Sequence, residues 1–507
     1  MNAKPVGLIL GALALIGGIF LPTPEAMPRE AMVVAGLVVL MAAWWISEAI
    51  PLTATALMPF LVLPFAGVMN ARETASAYYS PILFLLLGGA FIALAIERTG
   101  LHRRLSLAIL KTVGAGGGQT RLLLAFMISA ALLSMLISNT STALIMMPMA
   151  LAVLSGGARA SGSEAVGNEN TTRSLHPSIR TVSENIPGGR VEGAGGQGAP
   201  GKEGLAGALP MGIAFAASIG GLGTIVGSPT NAIAVGLLSR AEVVEISFVE
   251  WTAYGLPLVI VGVPLAAAIV SRVQKVAEHP FDVPAARAAI DDEAPWSSAE
   301  RRLVPVIAIT FLLWMTLPLL APLVPEGSLT DGTIAIAAGL ALFLLPDGTG
   351  RPLLVWSEAD RAPWGVIMMF GGGLALAAGM QASGLAAWLG NALLPLEVLP
   401  LVVIALAVVA MVVLITEFAS NVATATAIIP VVASLIVALG ADPVLLAMPA
   451  ALAASWGFML PAGTGPNAIA WSTRHIRIER MVGAGILLDL VGIFLIVALV
   501  WGVAAIV

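Results

Sequence analysis

Polar residues are bunched along this chain, and the stretches between them are continuously apolar. Eleven such stretches lie near 6–20, 32–49, 52–67, 81–98, 208–239, 251–272, 302–324, 331–346, 364–382, 444–472 and 482–506. Most approach the roughly 20 residues that a helix needs to cross a bilayer. Two further stretches, 121–155 and 398–440, are too long for one crossing. Each is interrupted by a polar cluster, "SNTST" at 138–142 and "SNVAT" at 420–424. Such an interruption predicts either a pair of crossings or a re-entrant helical hairpin with the cluster at its tip. The expected fold is an all-α polytopic membrane protein of about 11 transmembrane helices plus two re-entrant hairpins.

Composition agrees with that pattern. At 58% hydrophobic and 10% charged residues, with mean hydropathy +0.97, the chain is not a soluble globular domain. The apolar run from Val6 to Phe20 follows a lone Lys4 and precedes many other spans, which favours an uncleaved first span over a signal peptide. Net charge of −5 says little, because membrane proteins sort charge by side. If the 11 segments cross and the broken ones return, only Arg29, Arg72 and Arg240 of the 24 Lys and Arg face outward. The cytoplasmic side then holds Lys4, the basic run 97–111, the loops 156–204, 272–302 and 347–363, and "RHIRIER" at 474–480. Counting each broken segment as two full crossings leaves that parity unchanged, so charge fixes sidedness and not re-entrance.

Self-similarity adds the next layer. Ser138, Asn139, Thr142, Ala143 and Pro148 recur 282 positions later as Ser420, Asn421, Thr424, Ala425 and Pro430. "GSPTNAIA" at 227–234 pairs with "GTGPNAIA" at 463–470, and "GGAFIALAIERTGL" at 88–101 with "GGLALAAGMQASGL" at 372–385. Three pairs in one order indicate an internal duplication. The expected division is a first helix at 1–30, repeat one at 31–272 and repeat two at 273–507. Repeat one carries the 121–155 hairpin, entered from the cytoplasm, and a discontinuous helix at 208–239. Repeat two carries the 398–440 hairpin, entered from outside, a discontinuous helix at 444–472 and the last helix at 482–506. The polar 156–204 stretch reads as a disordered insertion, because it lacks apolar periodicity and the second repeat has no counterpart. Five crossings per half is an odd number, so consecutive halves would sit upside down relative to each other, the architecture of many secondary transporters.

The motifs have a chemistry. Ser and Asn at a hairpin tip cap helix amino ends, whose N–H groups and dipole attract an anion without a buried Arg. In "GSPT" and "GTGP", Pro lacks an N–H and Gly permits unusual dihedrals, so a helix through either is expected to unwind. The freed carbonyls and the Ser and Asn oxygens are hard neutral ligands that suit Na⁺. A single Ser/Thr run is more often helix–helix glue, yet glue has no reason to recur beside matched Gly-Pro breaks. Glu417 and Asp489 are carboxylates within spans and functional suspects on that ground. A proton site and a carboxylate bonded to helix-end N–H groups at the hairpin are both open readings. Glu48 reads as solvated or capping the next helix. An enzyme is not expected: there is no Cys, and His102, His176, His279 and His475 all lie outside the spans. Nucleic-acid binding finds no basic stripe to support it.

"WWISEAIPLTATALMP" (44–59), "SNTSTALIMMP", "GIAFAASIGGLGTIVGSPTNAI" (212–233), "TEFASNVATATAIIP" (416–430) and "LPAGTGPNAIAW" (460–471) together resemble the divalent anion/sodium symporters (DASS). The resemblance implies transport of dicarboxylates, citrate or sulfate by a homodimer in the cytoplasmic membrane, a scaffold holding a transport domain that moves like an elevator. It also implies one sodium site at Ser134, Ser138, Asn139 and Gly227, and another at Thr416, Ala419, Ser420, Asn421 and Gly463. Substrate carboxylates would meet Asn139, Thr140 and Asn421, with Ser228 and Thr464 nearby. Val422 stands where many members have a Thr, and Thr230 and Gly465 replace prolines. The expected function is sodium-coupled symport of C4-dicarboxylates such as succinate, malate or fumarate. A sodium-independent exchanger and a sulfate carrier are the alternatives.

Overall fold

A computed structural model describes residues 3–113, 117–160, 203–279, 281–284 and 295–506. The chain opens with α1 (Ala3–Phe20), α2 (Arg29–Ser47), α3 (Leu52–Thr55), α4 (Met58–Phe65) and α5 (Ala71–Ala77). Next come α6 (Pro81–Thr99), α7 (Leu101–Val113), α8 (Gln119–Ser134), α9 (Asn139–Ala160), α10 (Leu205–Gly221), α11 (Pro229–Arg240) and α12 (Phe248–Val273). The second half holds α13 (Ser298–Leu320), α14 (Asp331–Leu344), α15 (Trp356–Ala359), α16 (Trp364–Ala382), α17 (Leu385–Leu393), α18 (Leu401–Phe418), α19 (Asn421–Leu439), α20 (Pro443–Ala453), α21 (Gly465–Ser472) and α22 (Ile478–Ala504).

Among the described residues, eight helical segments are long and apolar enough to cross a membrane: α2, α6, α12, α13 with its short extension, α16, α18, α19 and α22. The two arms of the second broken segment are therefore each of crossing length. Expected spans 6–20 and 331–346 are apolar helices of shorter length. Expected span 52–67 is not one helix but α3 and α4. Pro59 has no N–H to bond the Thr55 carbonyl, so the chain stops and restarts with Pro59 in the first turn of α4. Glu48 closes α2 in the left-handed region (φ 47°) with its side chain exposed, which matches the solvated reading; the next helix has no side-chain cap. The helix at 139 runs on through Ala160 into the stretch expected as a loop, and 161–202 lie outside the described residues.

The same succession of elements occurs in both halves. α6 and α16 both end at a glycine with φ 78°, Gly100 and Gly384, a conformation that side chains with a Cβ resist. Each then turns into a short helix, α7 or α17, and each of those leads to a broken helix pair, α8–α9 or α18–α19. The second arms cross over: α9 packs on α21, and α19 packs on α11. α10 lies at the centre and is buried from Ala208 to Gly221 without a break, as an all-round apolar helix should be. Its Gly220 sits against the Ala131 backbone of α8 so closely that no Cβ would fit. Small residues of this kind let membrane helices approach.

Charged groups gather at the helix ends. Arg98 at the end of α6 binds Asp347 and donates 2.6 Å to the Leu353 carbonyl. The Thr349 hydroxyl and N–H, then Arg98, hold the Asp347 carboxyl well below the usual carboxylate range. Glu203, just before α10, pairs with Arg480 (2.6 Å), Arg477 (3.1 Å) and His279 (3.4 Å), joining the starts of α10 and α22 to the segment after α12.

Candidate functional site

The first half-site is built at the gap between α8 and α9. Ser138 caps α9, its hydroxyl accepting from the Ser141 N–H at 3.1 Å. Asn139 is the first residue of α9, and its Oδ1 lies 2.7 Å from Ser134 Oγ at the end of α8. The same amide position lies 3.3 Å from the Ala217 carbonyl and 3.2 Å from the Gly227 carbonyl. The Ser134 hydroxyl and the Ala217 and Gly227 carbonyls thus converge on one end of the Asn139 amide. Two arrangements satisfy them: the amide turns its nitrogen inward and donates, or a cation takes the donor's place. The Gly227 backbone is also close to the Gly221 and Ser134 carbonyls, so that a Cβ there would lie 2.6 and 2.9 Å from them. An all-oxygen set, neutral and crowded, suits a hard monovalent cation.

The second half-site repeats the plan. Ser420 caps α19, accepting from Ala423 N–H at 3.2 Å. Thr416 Oγ1 lies 2.9 Å from Asn421 Oδ1 and 2.7 Å from the Ala454 carbonyl. The Thr416 hydroxyl and the Ala454 carbonyl thus meet the Asn421 amide as Ser134 and the Ala217 carbonyl meet Asn139. A Cβ on Gly463 would lie 3.3 Å from the Glu417 carbonyl and 3.4 Å from the Leu460 carbonyl. Ser134 and Thr416 stand at the same 282-residue offset as the Ser-Asn motifs. Ala419 is the extended residue (φ −126°) that ends α18 and turns the chain toward Ser420.

The discontinuous helices break upstream of where Pro and Gly were expected to break them. α10 stops at Gly221, a short 3-10 turn covers Ile225–Gly227, and α11 starts at Pro229. In the second half, residues 454–464 separate α20 from α21, with Pro466 in the first turn of α21. Both prolines therefore initiate helices, because the first turn has no intrahelical use for their missing N–H. Ser228 and Thr464 are the caps, accepting from Thr230 N–H (3.3 Å) and Asn467 N–H (3.2 Å). Helices α9, α11, α19 and α21 thus all begin with a hydroxyl cap. The first and third of these amino ends belong to hairpin-like pairs, the others to broken helices. Gly465 at the start of α21 lies directly against the exposed Thr140 side chain of α9.

Asn231 donates to the carbonyls of Gly221 (2.7 Å) and Thr224 (2.8 Å), and Asn467 donates to the Leu460 carbonyl (3.1 Å). Each Asn therefore braces the unwound segment that precedes it. Their Oδ1 atoms, with the hydroxyls of Thr142 and Thr424 and of Ser218 and Ser455, are buried and have no hydrogen-bond partner. All six fall into pairs related by the duplication, through "AASIG" at 216–220 and "AASWG" at 453–457 for the serines. That motif pair also supplies the Ala217 and Ala454 carbonyls and was not singled out from the sequence. Its composition is ordinary for a membrane helix, and only its recurrence could have marked it.

Glu417 is bonded to backbone N–H groups, although not at the hairpin. Its carboxylate accepts from Phe458, from Met459 (3.0 Å) and from Leu460 (3.1 Å), the unwound stretch before α21. Asp489 on α22 is buried nearby, and neither of its carboxyl oxygens has a partner with normal hydrogen-bond geometry. Among the described residues no cluster of His, Asp and Glu could hold a metal ion of higher charge.

The chain matches the sodium:sulfate symporter transmembrane region family over residues 3–507. Relatives include the sodium-dependent dicarboxylate transporter SdcS of Staphylococcus saprophyticus, 36% identical over 98% of this chain and 90% of that one. SdcS of Staphylococcus aureus is 35% identical over 99% of this chain and 91% of its own length. The crystal structure of the Alcanivorax borkumensis YdaH transporter shares the fold, with TM-score 0.54 at 15% identity, covering 93% of this chain and 97% of that one. Paired Ser-Asn helix starts, oxygen clusters around the two Asn amides and full-length similarity all converge, and the chain belongs to the sodium:sulfate symporter family of multi-pass membrane transporters, which are not enzymes.

Proposed function

We propose that this protein is a sodium-coupled symporter of C4-dicarboxylates such as succinate, malate and fumarate. The observation that carries the reading is the set of hydroxyl and carbonyl oxygens gathered around the Asn139 amide, matched around Asn421. One sodium ion is held by Ser134, Ser138, Asn139 and Gly227, joined by the Ala217 carbonyl. The other is held by Thr416, Ala419, Ser420, Asn421 and Gly463, joined by the Ala454 carbonyl. Without sodium, the Asn139 amide nitrogen is consumed inside its own oxygen cluster. With sodium, Oδ1 faces the ion and the nitrogen turns outward, where it donates to a substrate carboxylate beside Thr140. Asn421 serves the other carboxylate, with Ser228 and Thr464 ordering the adjacent helix starts. Ion and anion thus each favour one amide orientation, so each raises the affinity for the other.

The relatives' names support sodium and dicarboxylates, since SdcS proteins are sodium-dependent dicarboxylate transporters. The two broken helix pairs act as re-entrant hairpins of two inverted repeats, and a homodimer moves substrate by an elevator-type displacement of the part that carries both half-sites. The family's description favours a second reading, a sulfate carrier, and the hydroxyl missing at Val422 leaves room for it. Uptake of labelled succinate into proteoliposomes, with a sodium gradient and with choline in its place, tests the proposal. Sodium-driven accumulation that unlabelled malate suppresses and sulfate does not is the expected result. Uptake indifferent to sodium overturns symport, and suppression by sulfate alone overturns the substrate class.

A further inference from the structure

Asp489 is a carboxyl group inside an apolar helix, α22, and the transport mechanism makes no use of it. Four residues before it, Gly485 lies so close to the Met459 backbone that a Cβ would not fit. Three residues after it, Gly492 lies against the Trp456 indole, whose Nε1 donates 3.2 Å to the Leu488 carbonyl. Spacings of three and four put Gly485, Asp489 and Gly492 on one face of α22. That face is pressed against the unwound 456–459 stretch, and Asp489 faces the Glu417 carboxyl and the Phe458 N–H. Asp489 is 5% exposed and Glu417 1%.

Hydrogen bonding at this spot is unbalanced. Glu417 accepts from the N–H groups of Phe458, Met459 and Leu460. Two ionised carboxyl oxygens offer about four acceptor positions, so three donors leave one open. Asp489 has the opposite fault: both of its oxygens are buried and unpartnered, because the Phe458 N–H already belongs to Glu417. A carboxylate without a donor, beside a second carboxylate and in apolar surroundings, is the costliest state the pair could adopt. The elements packed on α22 supply no counter-charge there. α18 carries Glu417 as its titratable group, and α20 carries none. α12 carries Glu250, Tyr254 and Arg272. Tyr254 faces Glu250 and Asp442, while Arg272 lies at the far end, where Arg480 of the first turn of α22 reaches the Val273 carbonyl. We infer that Asp489 is a protonated carboxylic acid whose O–H donates to the Glu417 carboxylate, taking the acceptor position that the three N–H groups leave open. One proton removes both faults. Asp489 is then a positioning residue: it fixes Glu417, and Glu417 fixes the unwound stretch beside the second oxygen cluster. The inference stands whether or not that cluster holds sodium.

The test is infrared spectroscopy of the purified full chain at neutral pH, with an isotopic label on the aspartate side-chain carboxyl carbon. A protonated carboxyl absorbs apart from a carboxylate, and its band moves in deuterium oxide. Wild type should show such a band, moved also by the label. Asp489→Asn should lack it, and Asp331→Asn, at a carboxyl whose Oδ1 is likewise buried and unpartnered, should keep it. Thermal unfolding supplies the second readout. Asp489→Asn keeps the volume and an N–H donor, so it should unfold close to wild type. Asp489→Leu removes the donor, and its ratio of folded to unfolded protein should fall roughly 10- to 150-fold, as for a lost bond to a charged group. A wild type without the label-sensitive band, a band undiminished in Asp489→Asn, or an Asn variant no more stable than the Leu variant overturns the inference. If Asp489→Asn does not fold, the label and Asp331→Asn decide: a band that Asp331→Asn abolishes belongs to Asp331 and overturns it equally.

Discussion

The two half-sites follow one plan but are braced by different chemistry. In the first, the Thr224 hydroxyl donates 2.7 Å to the Met135 carbonyl, and Asn231 spans the Gly221 and Thr224 carbonyls. In the second, Glu417 stands at the position equivalent to Met135, at the same 282-residue offset. Its carboxylate gathers three consecutive N–H groups of the unwound stretch. The first gap is short and contains a 3-10 turn that satisfies part of its own backbone. The second runs from 454 to 464, and exposed N–H groups inside a membrane protein need a partner. A longer break therefore requires a charge to hold it, and a shorter one manages with neutral groups. The two halves share the arrangement of oxygens around the Asn amides, while the bracing differs with the length of the gap.

The most severe way to break the comparison is at the amides. If the amides hold ion and anion as proposed, Asn139→Ala and Asn421→Ala each remove a bond to a charged group, about 1.5–3 kcal/mol, so succinate should bind roughly 10- to 150-fold more weakly in each. Succinate affinity of each purified variant, in sodium and in choline, checks this. Near-normal affinity in one of them would mean that only its sister half-site handles ligand, and the symmetry would be structural alone.

The glycines sharpen the difference. Gly227→Ala drives a methyl against two backbone carbonyls at 2.6 and 2.9 Å, which cannot yield locally. Gly463→Ala meets its nearest carbonyl at 3.3 Å, where a small shift suffices. Overpacking of about 1–3 kcal/mol at 227 should weaken sodium binding about 5- to 150-fold, with much less change at 463. A sodium titration of substrate binding reads both. Equal tolerance at the two positions would show that the first cluster is not as tight as its geometry.

Bracing acts on stability rather than on affinity. Glu417→Gln replaces a charged acceptor of three N–H groups and should cost about 1.5–3 kcal/mol, against about 0.5–1.5 kcal/mol for Thr224→Val. Thermal unfolding of the detergent-purified variants should rank them in that order. If Thr224→Val proves the more damaging, the first gap leans on its hydroxyl more than its 3-10 turn suggests.

Much of this molecule was legible in one dimension. Hydropathy marked α2, α6, α12, α13, α16 and α22 because a bilayer demands long apolar helices of any sequence that enters it. The repeated Ser-Asn clusters marked the starts of α9 and α19, since hydroxyl and amide caps are residue-specific. Pattern failed where the physics is not written in residue type. Pro229 and Pro466 were read as breakers of helices that they start, because proline's effect depends on which turn it occupies. The Ala217 and Ala454 carbonyls left no mark, since every residue has a carbonyl and only packing brings one beside an Asn amide or a Thr hydroxyl. Glu417 was visible as a buried charge, yet its partners, some 40 positions away, depend on how α18 packs beside the second gap. The sequence by itself determined where the long apolar helices lie and which two polar clusters belong together. Tertiary packing alone decided which oxygens meet, because α9 reaches α21 and α19 reaches α11 only after the halves have crossed over each other.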